Sequence, residues 1–479
     1  MIATDFNCNP FIVIWEVTRA CALHCLHCRA EAQHKRHPGE LTTEEGKRLL
    51  DEIQSMDSPI FVFTGGDPLM RDDLFELTSY GKSIGLRVSM TPSATPRVTE
   101  EAIRQASAVG LDRWAFSLDG STAAIHDRFR GASGSFDLTM RSLSMLRKLN
   151  MPLQINTTVC VHNKHDLKRI AEIIGEMGVV MWSVFFLVPT GRGKNEDMIS
   201  PEEGEEILHW LAELGERVPF GVKTTAAPFY RRVLAQRAKA LGQHPQAVGA
   251  RMLGVPELAT RTGKHPASGE GRPIGAGGHP HGEHGHEGRP QGRQAHAAGH
   301  PQGGEPFGGH PHGGQPNGGQ SQGGEPIGGH PGGGQSHHSQ SHGGQPHAGH
   351  LHGGQPHGGQ SPFGAGDGKA AMRAPRGVTD GSGFVFISHT GEVSPSGFLP
   401  IPCGNVREQS LASIYREHPV FTSIRNPDLY TGKCGVCDYR QMCGGSRARA
   451  YTATGDYLGS DPACAYLPPA WKELMREGR

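Results

Sequence analysis

No stretch of this 479-residue chain approaches the ~20 consecutive apolar residues that cross a bilayer. Neither sign of charge dominates: 47 Lys and Arg balance 47 Asp and Glu. No strong field therefore draws the chain to nucleic acid or to an acidic membrane surface. The first residues lack the basic region, apolar core and small-residue cleavage site of a leader, so we expect no signal peptide and a cytoplasmic protein. Cysteine is scarce through most of the chain; of ten, three stand near the start and four in the last ~50 residues. That clustering reads as two metal sites in a reducing compartment and not as a disulfide framework.

Residues 262–371 contain no Cys, Trp or Tyr and are rich in Gly, Pro, Gln and His. From Gly303 to Pro362 they repeat every five residues, as in Gly-Gly-Glu-Pro-Phe and Gly-Gly-His-Pro-His, which excludes the three-residue period of collagen. Such a tract has too little apolar surface to offset the entropy of ordering. It predicts a disordered insertion between a core over 1–245 and a second domain over 376–479. The tract holds 17 of the 28 histidines. Weak binding of divalent nickel, zinc or copper is one reading, and a repeat-expanded linker without chemistry is the other.

What is present is concentrated near the N-terminus. Cys21, Cys25 and Cys28 follow the spacing C-x3-C-x2-C. Three thiolates this close can hold three corners of a [4Fe-4S] cube and leave one iron open, and an open position is what makes a metal site catalytic. A zinc knuckle completed by His24 or His27, or a redox pair, is the alternative. The triplet directly follows a buried-strand pattern over 11–18. A second apolar strand, 59–64, runs into Thr64-Gly-Gly-Asp-Pro-Leu69. Further strands are expected over 87–91, 113–118, 153–159 and 180–188. They alternate with helices over 43–56, 72–85, 98–109, 135–149, 163–177 and 201–216. Thr42-Thr43-Glu44-Glu45 is a good start signal for the first helix.

These motifs in this order resemble the radical S-adenosylmethionine (SAM) enzymes. The resemblance implies an α/β fold, the TIM-like partial (β/α)6 barrel, with ligands at the C-terminal strand ends. It implies that Cys21, Cys25 and Cys28 hold a [4Fe-4S] cluster whose free iron chelates SAM. Gly65, Gly66 and Asp67 would then contact the SAM amino group, with Asp in place of the more usual Glu. His27 would lie against the adenine, and Ser117 and Arg130 would meet the ribose and carboxylate. A guanidinium fork suits a carboxylate, although a solvated helix arginine is the plainer reading of Arg130. Asp119 is read as a possible cap of the next helix. Asn156-Thr157-Thr158 and Val188-Pro-Thr-Gly-Arg-Gly193 end later strands and face the same cavity.

The C-terminal part predicts a hairpin from Gly383–Ser388 and Gly391–Pro395, then a short helix around Leu411–His418. Cys434, Cys437, Cys443 and Cys464 follow as C-x2-C-x5-C-x20-C. Four thiolates complete one closed [4Fe-4S] cluster, with structural zinc as the alternative. This region resembles the SPASM/Twitch extension of radical SAM enzymes, which houses auxiliary clusters. Ser396 and Ser446 stand where relatives carry further cysteines, so one auxiliary cluster is expected, with Cys403 a spare. Cys8 and Cys160 read as ordinary thiols.

Gly-Gly-Ser-Arg-Ala-Arg-Ala450, Phe398-Leu-Pro and Gly404-Asn-Val-Arg407 look most like the haem-biosynthesis branch, whose enzymes remodel propionate side chains. The arginines of the helix Tyr230–Arg237 are candidates to meet propionates, and an exposed basic helix is the alternative. The peptide-modifying SPASM maturases are the alternative, and a metal chaperone built on the His tract is a more distant one. A small-molecule or peptide substrate and a one-electron donor such as flavodoxin or ferredoxin are the implied partners.

Overall fold

The computed structural model describes residues 5–242 and 377–477. The expectations for 262–371, disorder and divalent-metal binding alike, lie outside the described residues. Seven strands run parallel and in sequence order: β1 (Ile12–Glu16), β2 (Ile60–Thr64), β3 (Arg87–Met90), β4 (Arg113–Ser117), β5 (Leu153–Val159), β6 (Met181–Phe186) and β7 (Gly221–Thr225). Parallel strands are joined by right-handed crossovers as a rule. Because the strand order never reverses, every helix falls on the same face and the sheet curls into a half-barrel. The intervening helices are α1 (Thr43–Ser55), α2 (Leu74–Ser83), α3 (Glu100–Ala108), α4 (Ala123–Arg130), α5 (Ser135–Lys148), α6 (Leu167–Met177) and α7 (Pro201–Arg217). After β7 comes α8 (Tyr230–Ala240).

Sequence periodicity located six strands of this barrel and passed over the seventh. Gly221-Val-Lys-Thr-Thr225 is short and polar and opens on glycine, so it lacks the apolar run that marks a strand. It nevertheless pairs with β6 from Met181↔Gly221 to Phe185↔Thr225. Helix α4 follows β4, as the readings of Asp119 and Arg130 imply without bounding it. It spans eight residues and ends at the left-handed Gly131, with Thr122 as its cap. Asp119 does not cap it; its carboxylate is taken by Arg130 at the far end of that helix and by Thr158 N.

The two faces of the sheet differ chemically. Trp15, Phe61, Phe63, Trp114, Phe116 and Trp182 point outward and are fully buried against the helices, among Leu50, Ile53, Leu77, Ile103, Leu143 and Leu208. The inward positions are mostly small or polar. Strand β5 shows the alternation well: Leu153, Ile155, Thr157 and Val159 are buried, while Gln154, Asn156 and Thr158 between them are half-buried in the lumen. The capping box of α1, Thr42 with Glu45, forms as the sequence indicates.

The C-terminal residues complete this same sheet. The expected hairpin forms from β8 (Phe384–Ile387) and β9 (Val393–Ser394), but β8 also pairs in parallel with β1, Ile12↔Phe384 to Trp15↔Ile387. The otherwise open edge of the first strand is therefore covered. Arg449, on the helix Arg447–Thr454, fastens the rest. Its Nε donates to Asp461 Oδ1 at 2.9 Å and its Nη1 to the Leu187 carbonyl at 3.0 Å, beyond β6. Its Nη2 reaches the Ala226 carbonyl. Both partners of the ion pair are buried, and Arg449 holds the Asp461 carboxyl below its ordinary pKa against the opposing pull of burial.

Removing one member of such a pair strands a buried charge. Arg449→Met should cost about 3–5 kcal/mol, read as a lower urea midpoint. Arg449→Met with Asp461→Leu should recover part of that loss. If Arg449→Met costs no more than Arg104→Met, which breaks an exposed pair, the fastening role is wrong.

Candidate active site

The cysteine triplet sits on the loop that leaves the C-terminal end of β1. Two other loops grip this one by its backbone. From β2, Gly66 N donates to the Thr18 carbonyl at 2.8 Å and Asp67 N to the Ala20 carbonyl at 2.7 Å. A Cβ on Gly65 would stand 2.5 Å from Thr18 O, and one on Gly66 would stand 2.5 Å from Ala20 O. The two glycines are thus required by the close approach of the β2 loop to the cysteine loop. The Asp67 carboxylate is fully buried and folds into its own turn. It accepts from Leu69 N at 3.2 Å and from Thr95 Oγ1 at 3.0 Å, and burial raises its pKa to about 6.

The second grip comes from the loop after β6. Arg192 N donates to the Cys28 carbonyl at 3.0 Å, and Arg192 Nε to the Cys25 carbonyl at 2.9 Å. Gly191 has φ +63°, and a Cβ there would lie 2.5 Å from Cys28 O. Val188-Pro-Thr-Gly-Arg-Gly193 therefore acts on the cysteine loop itself. Sequence reading had placed the motif at the cavity without that role, and its Gly-Arg-Gly core was the available signal.

The three cysteines lie in one small cluster with Leu23, and the Cys25 thiol feels both neighbours. Burial raises the Cys21 and Cys25 thiols above their ordinary pKa. Leu23 N and Ser93 Oγ each stand 3.4 Å from Cys21 Sγ. Arg130 is buried and not solvated. Burial would lower its pKa, but Cys25 and then Asp119 outweigh that and keep it cationic. Its Nη1 lies 3.3 Å from Asp119 Oδ2, while Asp119 Oδ1 accepts from Thr158 N at 2.7 Å. The His27 ring stacks on Phe129 with centroids 4.4 Å apart. Ser117 faces the lumen at the end of β4, level with Asn156. Thr157, by contrast, is turned outward, accepting from Trp182 Nε1 at 2.9 Å.

The loop fits a cluster and an anionic ligand on two counts. His27 Nδ1 and Arg192 Nη2 are buried polar atoms without a partner among the described residues. Two arginines, Arg130 and Arg192, flank the thiols. Among the described residues the side chains as placed bring no three Cys, His, Asp or Glu groups close enough to hold a single metal ion.

The second set of cysteines also shares one place. Cys434, Cys437, Cys443 and Cys464 line a single cavity with Lys433, Arg232 and Arg440. Burial pushes the Cys437 thiol up to about 11 and raises Cys443 and Cys464 as well. Arg447 Nη2 and Asp461 N each stand 3.5 Å from Cys434 Sγ. Four thiols that must shed protons together, beside cations, suit a closed metal centre. Cys403 is buried elsewhere, against the Ile401 carbonyl. Ser446 caps its helix and Ser396 Oγ accepts from two backbone amides of its own turn.

The arginines of α8 are engaged by the protein, Arg232 beside the four-cysteine cavity. Arg231 bonds the Met442 carbonyl, Arg232 pairs with Glu205, and Arg237 pairs with Glu216. Each is consumed in holding the helix in place, which removes them as propionate partners.

A parallel half-barrel with a three-thiol loop at the mouth of its first strand defines a class of enzyme that works through an iron–sulfur centre at the strand ends. The signature of the Radical SAM superfamily matches residues 15–174, and this chain belongs to that superfamily. It is similar to the "AdoMet-dependent heme synthase" of Methanosarcina barkeri (strain Fusaro), 32% identical over 96% of this chain and 97% of that protein. The protein of the same name from Nitratidesulfovibrio vulgaris (strain Hildenborough) is 33% identical over 95% of this chain and 92% of its own length. Among solved structures, Streptococcus suis SuiB bound to the precursor peptide SuiA superposes with TM-score 0.55 at 10% identity, over 96% of this chain and 77% of SuiB. At that identity the likeness shows the fold alone. Enzymes of this superfamily use a [4Fe-4S] cluster and SAM, and no helix among the described residues is long and apolar enough to cross a membrane.

Gly191→Ala should lower the iron content of the first site and the yield of 5′-deoxyadenosine, because the new methyl strikes Cys28 O. Gly178→Ala is the control: its φ is +69° but nothing lies within 4 Å of the new Cβ. Equal loss in both variants would point to backbone strain and remove the steric grip. Replacing Cys21, Cys25 and Cys28 by Ala should remove about four of about eight irons, by metal analysis, and abolish 5′-deoxyadenosine. Survival of SAM cleavage would exclude these cysteines as the catalytic ligands.

Proposed function

We propose that this radical SAM enzyme acts on the propionate side chains of an iron tetrapyrrole in haem-type cofactor synthesis. The observation that carries the reading is end-to-end similarity to two proteins named AdoMet-dependent heme synthase, over 95–96% of the chain. A peptide substrate has weaker support: the similarity to a protein named mycofactocin maturase MftC, 32% identical, spans 44% of the chain, and SuiB shares the fold alone.

In this reading Cys21, Cys25 and Cys28 hold the catalytic cluster. When bound, the cluster supplies the electron that cleaves SAM to methionine and a 5′-deoxyadenosyl radical able to take a hydrogen atom from substrate. The protein orients and shields the reactants. Arg130, dry and cationic, answers the SAM carboxylate; Ser117 meets the ribose. His27, braced on Phe129, lies against the adenine. Gly65, Gly66 and Asp67 meet the amino group through the backbone, since the Asp67 carboxylate is already engaged in its turn. Cys434, Cys437, Cys443 and Cys464 hold one auxiliary [4Fe-4S] cluster. Residues 1–245 form the SAM core and 376–479 the auxiliary-cluster part. A flavodoxin or ferredoxin serves as electron donor in the cytoplasm, consistent with ten cysteines and no disulfide among the described ones.

The test is anaerobic turnover with SAM, dithionite and iron coproporphyrin III, followed by mass spectrometry. The expected product has lost carbon dioxide and hydrogen from propionate, with 5′-deoxyadenosine formed in step. Unchanged tetrapyrrole, together with modification of a precursor peptide under the same conditions, would transfer the assignment to the maturases.

A further inference from the structure

We propose that Lys223 binds a carboxylate of the substrate inside the half-barrel, with Arg113 as a second cation below it. The proposal rests on the tetrapyrrole reading and deepens it by naming the residue that anchors a propionate. Lys223 is the middle residue of β7, the strand that sequence periodicity passes over.

Register fixes its direction. Val222 packs outward beneath Gly215 of α7, so Lys223 points into the lumen. Strand pairing sets Ser117, Asn156, Ser183 and Lys223 side by side on the inner wall. Lys223 is thus level with Ser117 and three strands away, roughly 14 Å along the sheet at the usual strand spacing. The SAM-side residues line one flank of the inner wall and Lys223 the other. Arg113 lies on the same inner face of β4, toward the floor, with its Nη1 3.3 Å from Gln154 Oε1.

Among the described residues neither cation has an ion-pair partner and Lys223 makes no hydrogen bond. Arg113 feels only the neighbouring Asp112 carboxylate, which Lys82 already engages. Glu16, the one acid at an inward position of the described strands, is taken by Arg19 and Arg29. A half-buried cation without a countercharge is costly and disfavours its own charged form. Burial, and then Arg113, pull the Lys223 pKa down to about 8. An incoming carboxylate supplies the missing charge. Lysine suits the task because its flexible stem carries a compact point charge to a side chain that must be re-presented.

The test is an absorbance titration of the cluster-loaded full chain with iron coproporphyrin III and with its tetramethyl ester. Lys223→Met and Lys223→Gln should weaken binding of the free acid at least tenfold. Lys223→Arg should stay within threefold of wild type, and the ester should bind all four proteins alike. The Gln variant retains a polar group should Met fail to fold; iron content and melting temperature report the fold. Wild-type affinity for the acid in both neutral variants overturns the proposal, as does equal loss for acid and ester, which would mean a structural lysine. If the wild type binds neither ligand, the tetrapyrrole reading itself fails and this assignment falls with it. That result is distinct from intact binding that ignores Lys223.

Discussion

The architecture depends on close backbone contact at one short segment, residues 18–29. Carbonyls of this segment are held from one side by Gly66 and Asp67 and from the other by Arg192, with Gly65, Gly66 and Gly191 occupying positions where no Cβ fits. The first grip descends from β2 and the second from β6. The cysteine loop is consequently set by strands on both sides of the barrel mouth. The barrel must close to its full curvature before the loop has its shape. Fixing the ligand-bearing backbone in this way is preorganisation, achieved with amide hydrogen bonds and without side chains that would compete for the metal.

Polar groups around the segment follow a similar economy. Arg130 balances buried thiols and Asp119, and His126 stays neutral. Burial, and then Arg130, hold the His126 pKa down to about 3, and its Nδ1 accepts from Asp119 N at 3.1 Å. A second cationic ring beside Arg130 would work against it, so a neutral imidazole is the compatible form. The C-terminal residues extend this arrangement. Arg449 and Arg447 each satisfy several carbonyls and a buried acid or thiol. Arginine is the side chain able to do that with one rigid fork.

Much of this was legible in the chain. Alternating apolar strands and amphipathic helices, the C-x3-C-x2-C loop and the four later cysteines carried the half-barrel and both thiol groups directly. What escaped had physical reasons. Strand β7 is made of residues that suit a lumen and not a core, so it carries no apolar signature. The pairing of β8 with β1 joins residues far apart in sequence, and no local pattern encodes a partner. Gly65 and Gly66 read as ligand approach, yet the contact that excludes a Cβ at each is with the cysteine loop of the same chain. The arginines of α8 looked available because their partners, Glu205 and Glu216, lie on another helix. Lys223 was invisible for the complementary reason: an isolated lysine in a polar stretch reads as a surface residue until register turns it inward.

The pairing of β1 with β8 also bears on how the protein is made. Strand β1 leaves the ribosome about 370 residues ahead of its edge partner. At about 5–20 residues per second, the Ile-Val-Ile-Trp edge waits roughly 20–75 s for cover. During that interval an apolar strand with unpaired amides is a template for association with other nascent chains. Residues 243–376 lengthen the wait, because they must all be synthesised before Phe384 appears. The late arrival of the edge strand makes the biosynthesis of this enzyme a matter of timing, and chaperone supply becomes a determinant of its yield.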